Sequence, residues 1–188
     1  MKNLLPLAVL FALAACGESD KPAEEAKKDA PLAQSVNSTG FNTTFGNLLT
    51  NYYQLKDALV ASNDTMSVTA AKSLIASADS VKFNDVKADS SIIQMAEGYV
   101  QSVSAEAKAL IGEPTLEAKR KSFQMISDMM YDLVRSVRYD RETVYHQFCP
   151  MAFNDAGAYW LSRTSDIKNP YFGKKMLTCG EVKDSLKF

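Results

Sequence analysis

Apolar residues recur at steps of three and four along residues 45–137, and this repeat narrows the possible folds more than any other feature. This spacing lines one face of an α-helix, so each run of the pattern predicts an amphipathic helix with one face to bury. Four such runs are present, and they span residues 45–59, 68–78, 92–110 and 116–137. Four amphipathic helices with short connections predict an all-α fold, an antiparallel up-down four-helix bundle.

Polar and helix-breaking residues separate the four runs. Ser62-Asn63-Asp64 interrupts the pattern after the first run, and Asp89 can begin the third helix. Gly112 is typical of a helix end, and Pro114 fits the first turn of the helix that follows. We therefore expect one helical domain over residues 41–188, in which the segment 139–188 is irregular, contains the late cysteines and packs on the bundle.

The N-terminus has the pattern of a lipoprotein signal peptide. A single charge, Lys2, precedes an apolar run over residues 4–15 that is too short to span a bilayer, since a spanning helix needs roughly 20 apolar residues. The run ends in Ala14-Ala15-Cys16-Gly17, which resembles the lipobox that lipoprotein signal peptidase cleaves. The sequence predicts export, removal of residues 1–15 and attachment of lipid to Cys16, which would anchor the protein to a membrane.

Residues 16–40 predict a flexible tether between this anchor and the domain. The segment is rich in Glu, Lys, Ala, Ser, Asn and Pro and has no periodic apolar residues. Such a composition buries too little surface to offset the entropy lost on ordering. The predicted location is therefore the cell envelope, as a periplasmic or outer-membrane lipoprotein.

Charge and motifs exclude two classes of function. The formal net charge is −1, and −2 without Lys2, so the chain has no basic excess for binding nucleic acid. It contains no Gly-rich phosphate loop, no HExxH helix and no Ser-centred elbow motif. His146 and Cys149 are three residues apart, which places them on opposite faces of a strand rather than in a catalytic pair. We expect no enzymatic activity.

Residues 139–188 lose the helical period, and residues 143–148 alternate as a short strand does. Two Cys/Met motifs lie here, Cys149-Pro150-Met151 and Met176-Leu177-Thr178-Cys179, and a turn at residues 169–173 could bring them together. Soft sulfur ligands select soft ions, above all Cu(I). The candidate metal ligands are therefore Cys149, Met151, Met176 and Cys179, with His146 as a weaker fifth.

A disulfide between Cys149 and Cys179 is the alternative. Two cysteines that remain in an exported domain most often pair, and closing a loop of about thirty residues contributes on the order of 3 kcal/mol. The spacing of these residues matches no recognised metal motif, and a single histidine is more often structural than a ligand. The residues alone leave both explanations open.

Several short segments of the sequence resemble a known family of bacterial envelope proteins, domain-of-unknown-function family 3347. The C-terminal part of the resemblance is carried by residues 145–152 (YHQFCPMA), 157–162 (GAYWLS), 167–173 (IKNPYFG) and 176–180 (MLTCG). Residues 53–59 (YQLKDAL) and 118–123 (AKRKSF) look like that family's first and last helices. The likeness covers roughly residues 45–182.

The resemblance implies a role in metal handling. Domains of this kind occur alone in exported lipoproteins and also fused to periplasmic adaptor subunits of copper and silver efflux pumps. The candidate ligands that match the family pattern are Cys149, Met151, Met176 and Cys179. His146 lies outside that pattern. The leading expectation is a lipid-anchored binding protein for Cu(I), linked to metal tolerance or to an efflux adaptor as partner. The second is a disulfide-stapled module that docks a partner protein without metal.

Overall fold

The computed structural model describes residues 36–188, and four long helices make up its first part. They are α1 (Thr39–Val60), α2 (Asp64–Ala78), α3 (Ser90–Gly112) and α4 (Leu116–Val137). Each contains one of the four apolar runs, so the helical part of the predicted fold is confirmed. α1 begins at Thr39, which makes the last two residues of the predicted tether part of the first helix. The signal peptide, Cys16 and most of the tether lie outside the described residues.

Side-chain caps explain where three of the helices begin. The Ser38, Asn63 and Thr115 side chains accept hydrogen bonds from backbone N–H groups in the first turns of α1, α2 and α4. These bonds satisfy donors that a helix start otherwise leaves free. α4 ends at Val137, and the next residue, Arg138, has a left-handed backbone. The connections of α1 to α2 and of α3 to α4 are three residues long, so the two helices of each pair run antiparallel.

The core lies along the apolar faces of these helices. Each helix packs against the next one in sequence. α1 and α4 also meet, where the Tyr52 ring stacks on Phe123 with 5.3 Å between centroids. The fully buried apolar side chains of the helices include Phe41, Phe45, Leu48, Leu49, Leu55, Leu59, Leu74, Leu110, Phe123 and Ile126. Within residues 36–188, no helix is both long enough and apolar enough to cross a membrane.

The C-terminal segment contains a sheet, and the expectation of an all-α fold with an irregular tail is wrong there. β1 (Val144–Cys149) lies between β2 (Ala158–Ser162) and β3 (Glu181–Leu186), and both pairings are antiparallel. The register places Cys149 opposite Ala158 on one side and Phe148 opposite Glu181 on the other. The alternation at 143–148 indicates only β1, because β2 is a mostly buried run and β3 a mostly exposed one, so neither alternates between apolar and polar residues.

Two buried tyrosines close the outer edge of β2. The Leu161 N–H donates to the Tyr52 hydroxyl at 2.9 Å, and that hydroxyl is 2.7 Å from Ser127 of α4. The Tyr171 hydroxyl donates to the Tyr159 carbonyl on the same edge. An edge strand exposes unpaired backbone groups, so these hydroxyls supply the partners that a further strand would give. They fix the sheet against α1 and α4.

Candidate functional site

The structure brings Cys149 and Cys179 together at one end of the sheet. Cys149 is the last residue of β1, and Cys179 lies two residues before β3 begins. Because β1 and β3 are paired neighbours, the two side chains meet, and their Sγ atoms are 3.0 Å apart. Both cysteines are free thiols; Cys149 is fully buried and Cys179 is half-buried. The pair therefore has one enclosed sulfur and one that solvent reaches.

Asn169 holds the loop that carries Cys179. Its side-chain amide donates to the Cys179 carbonyl at 2.8 Å, and its Oδ1 accepts from the Tyr171 N–H at 2.7 Å. The Asn169 side chain is fully buried, so these bonds replace the water it has lost. In the sequence, Asn169 stands out only as part of a turn. The signal that could have found it is the Asn-Pro dipeptide, since asparagine side chains bond to backbone groups two residues on.

Gly180 lets the chain pass close to the sheet between Cys179 and β3. Its φ is +143°, and a Cβ at this position would stand 2.8 Å from the Phe148 carbonyl oxygen and 2.8 Å from the Trp160 ring. A side chain cannot be accommodated without moving the backbone or the buried indole. Gly180 therefore contributes to the approach of the two sulfur atoms.

Contact with Cys149 changes the acidity of Cys179. The hydrogen bond between the thiols raises the pKa of Cys179 to about 11, and burial and the charge of a Cys149 thiolate act in the same direction. The neighbouring sulfur and the partial burial thus both disfavour a thiolate at Cys179. At neutral pH Cys179 is therefore protonated, and binding a cation through its sulfur would release that proton.

The distance between the sulfur atoms lies between those of a disulfide and an ion site. A disulfide has S–S about 2.05 Å. Two thiolates that share one ion at about 2.3 Å each stand roughly 3.7–4.5 Å apart. Starting from 3.0 Å, a disulfide requires the two sulfur atoms to approach by about 1 Å. A shared ion requires them to separate by about 1 Å or slightly more. The geometry thus places the pair within a small displacement of either state.

His146 lies on the other face of β1. Its ring is sandwiched between Tyr131 of α4 and Tyr159 of β2, with centroids at 3.8 and 4.5 Å. Burial lowers the pKa of His146 to about 4, although the nearby Asp184 carboxylate acts in the opposite direction. The imidazole is therefore neutral at neutral pH. It faces away from Cys149, as the three-residue spacing on a strand predicts, and is not part of the thiol pair.

The two methionines are placed differently from each other. Met151 is 45 % exposed, and it borders a hollow next to Arg120 and Tyr171. Met176 is half-buried at the end of a short 3₁₀ turn, Gly173–Met176. The sulfur–sulfur contact that the structure shows within the described residues joins Cys149 and Cys179, and it involves neither methionine. Ligand roles for Met151 and Met176 stay predictions.

Across residues 36–188, no group of three or more His, Cys, Asp and Glu side chains is arranged to hold a metal ion. This matters for the choice of ion because structural zinc sites use four protein ligands. The contact between Cys149 and Cys179 provides two soft sulfur atoms.

The fold and the thiol pair together define a helical module with a small C-terminal sheet and two adjoining cysteines at one end of that sheet. Comparison with protein families identifies the family to which this chain belongs. The chain belongs to the family described as "Protein of unknown function (DUF3347)", whose sequence pattern matches residues 48–142, just over half of the 188 residues. This confirms the resemblance found in the sequence.

The matched range covers most of α1, all of α2 to α4, and ends before β1. The cysteine pair lies outside it. Neither the curated proteins nor the solved structures contain a match to this chain.

Proposed function

We propose that this protein is an exported, lipid-anchored binder of a soft metal ion, with Cu(I) as the ion and reduced Cys149 and Cys179 as its ligands. Lipid on Cys16 holds it at the cell envelope, and the bound ion serves metal tolerance or is passed to an efflux adaptor protein. The observation that carries the proposal is the 3.0 Å approach of two sulfur atoms that are 30 residues apart in sequence.

The chemistry of the site favours Cu(I) over other common ions. Thiolates are soft ligands and bind Cu(I) in preference to Mg²⁺ or Ca²⁺, which take oxygen ligands. Zinc would require two further ligands, and His146 is turned to the opposite face of the sheet. Cu(I) accepts two sulfur ligands, with a methionine thioether as a neutral third. Half-buried Cys179 gives the ion a route to fully buried Cys149.

Anaerobic titration with Cu(I) against a competing chelator tests the metal proposal. The protein is produced without residues 1–16 and fully reduced before the titration. We expect one equivalent of Cu(I) to bind, and the Cys149→Ser/Cys179→Ser variant to lose at least about 100-fold in affinity. A double variant that binds as tightly as the unaltered protein would exclude the thiols as ligands. Met151→Leu and Met176→Leu then measure any thioether contribution, with exposed Met125→Leu as the matched control.

A permanent disulfide is the second candidate, and the short sulfur–sulfur distance favours it. At 3.0 Å the atoms are closer than two thiolates on one ion, and Cys149 is fully buried, as structural disulfides usually are. The protein would then be a stapled module that docks a partner protein. Mass spectrometry of the exported protein distinguishes the two: a complete Cys149–Cys179 bond that survives mild reductant excludes thiolate ligands in the resting protein.

The anchor has its own test. Cys16→Ser removes the atom that would carry lipid, so we expect the variant to move from the membrane fraction to the soluble envelope fraction. An equal distribution of the two proteins would contradict the lipoprotein assignment, whatever the thiols bind.

A further inference from the structure

A hollow separate from the thiols lies between the first turns of α4, the β1–β2 connection and the loop before β3. Its volume is about 400 Å³, which is the size of a site for a small molecule. Two cations, two anions and two aromatic rings border it. They are Arg120 and Lys175, Glu117 and Asp155, and Phe153 and Phe172. The formal charges of these side chains cancel. A balanced set of this kind matches a ligand that carries one charge of each sign.

Arg120 is oriented in this hollow before any ligand arrives. Its Nε donates to the Pro170 carbonyl at 2.8 Å, and its Nη2 donates to the Leu59 carbonyl and the Ser62 hydroxyl at 3.2 and 3.0 Å. A guanidinium has five N–H donors, so these bonds leave the two on Nη1 for another acceptor. Among residues 36–188 no carboxylate forms a salt bridge with Arg120.

The unpaired cation is also partly removed from water. Arg120 is half-buried, and burial lowers its pKa although the Glu117 carboxylate acts in the opposite direction. A half-desolvated guanidinium gains from a carboxylate that replaces its lost hydration. Glu117 and Asp155 are exposed at the rim, where they can accept from an ammonium group without displacing any internal bond.

The wall formed by the β1–β2 connection is held in a strained shape. Phe153, Asn154 and Asp155 have φ of +53°, +58° and +65°, three left-handed residues in succession. For side chains other than glycine this conformation costs about 1 kcal/mol per residue, and such strain concentrates at ligand sites. Here it places one aromatic ring and one carboxylate at the hollow.

We propose that this hollow binds a small zwitterion with an aromatic or large apolar group, that is, an α-amino acid of this type. Its carboxylate accepts from Arg120 Nη1 and Lys175, its ammonium group faces Glu117 and Asp155, and its side chain packs on the Phe153 and Phe172 rings. Neither thiol borders this hollow, so the amino-acid site and metal binding by the two cysteines can fail separately; Met151 is the one candidate metal ligand that also borders the hollow.

Four probes test this on the full mature chain by NMR chemical-shift titration. They are L-phenylalanine, 3-phenylpropionate without the ammonium group, 2-phenylethylamine without the carboxylate, and glycine without the ring. We expect L-phenylalanine to shift resonances around the hollow with Kd on the order of 1 mM, and each truncated probe to bind at least about fivefold more weakly. Equal binding of phenylethylamine, or no localised shifts up to about 10 mM phenylalanine, overturns the proposal.

A neighbouring pair of lysines supplies a matched control. Lys175 borders the hollow and Lys174 does not, although both are exposed residues of the same 3₁₀ turn. Lys175→Gln should weaken phenylalanine binding by about threefold to tenfold, whereas Lys174→Gln should leave it unchanged. Equal effects of the two substitutions would mean that only general surface charge is being measured, and the assigned site would be wrong.

Discussion

The helices and the C-terminal sheet are held by different kinds of contact. In α1 to α4 the buried surface is mainly aliphatic and aromatic, and its attraction does not depend on direction. The buried polar side chains of the helices are serines and two lysines, whereas the C-terminal segment buries the larger polar groups of His146, Gln147 and Asn169, together with the Cys149 thiol. The Gln147 and Asn169 amides donate to backbone carbonyls, and the His146 ring stacks between two tyrosines, so these groups depend on angle and distance. The family match covers most of the helical region and none of the sheet.

The contrast indicates where the protein can carry chemistry. A core of packed helices tolerates many apolar substitutions of similar volume. A region held by directed bonds tolerates few, but it can place a thiol or a guanidinium within a fraction of an ångström. The thiol pair and the hollow both lie at the C-terminal segment, where it meets the helices.

Removing a large ring from the helical core should have the largest effect. Phe123→Ala deletes a fully buried side chain that stacks on Tyr52, and we expect a loss of about 4 kcal/mol in the free energy of unfolding. Chemical denaturation measures it. Met125→Ala on the same helix is the control, since Met125 is 55 % exposed and should change stability by no more than about 0.5 kcal/mol. Equal losses would show that α4 does not pack as described.

Reduction probes the sheet region. If the oxidised protein contains the Cys149–Cys179 bond, a reductant should lower its unfolding free energy by about 3 kcal/mol, because the unfolded chain regains the freedom of a 30-residue loop. Cys179→Ser should show no response to the same reductant. If the unfolding free energy of the wild-type protein also stays the same with reductant, the bond does not form.

Acid should weaken the sheet through His146. Its pKa is lowered to about 4 in the folded protein, against an ordinary value of 6.5, so the unfolded chain takes up the proton first as pH falls. Stability therefore decreases over that interval, by about 2 kcal/mol between about pH 7 and about pH 5. His146→Phe keeps a ring between Tyr131 and Tyr159 and removes the titration. Denaturation at the two pH values should show a smaller loss for this variant; an identical loss would assign the effect to other groups.

Two adjacent tyrosines separate packing from directed bonding. The Tyr52 hydroxyl accepts the Leu161 N–H, whereas the buried Tyr53 hydroxyl has no hydrogen-bond partner within the described residues. Tyr52→Phe should cost about 1.5 kcal/mol, because it leaves a buried N–H unsatisfied. Tyr53→Phe should be neutral or slightly stabilising. Thermal or chemical unfolding of the two variants compares them directly, and equal costs would contradict the edge contact.

The smallest effect is expected at the strained turn. Asn154→Gly replaces an exposed residue with φ of +58° by one that adopts this conformation freely. We expect stability to rise by about 0.5 kcal/mol, because the left-handed conformation no longer strains a side chain. A clear loss of stability would show that the Asn154 side chain contributes to the turn.

Much of the helical part was predictable because its cause is local. The steps of four, three and four at Leu48, Tyr52, Leu55 and Leu59 place these residues on one face, and all four are fully buried. Asp89 and Gly112 delimit α3 as expected. The partner strands of β1 were not predictable, because β2 is buried along nearly its whole length and β3 is exposed along nearly its whole length, so neither shows the alternation of a half-buried strand. The role of Tyr52 was not predictable either, because its hydroxyl serves a strand that begins more than a hundred residues later.

Periodicity and residue chemistry can be read without knowing the fold. They predict the four helices and one strand, and they single out the two cysteines as the candidate site. The packing of the domain then brings the thiols together, turns His146 the other way, and places Arg120 beside Asp155 and Phe153 at one hollow. The physical reason for this division is that helix formation depends on neighbours three and four residues apart. A site depends on which distant segments come within a few ångströms, and that is settled only when the whole domain packs.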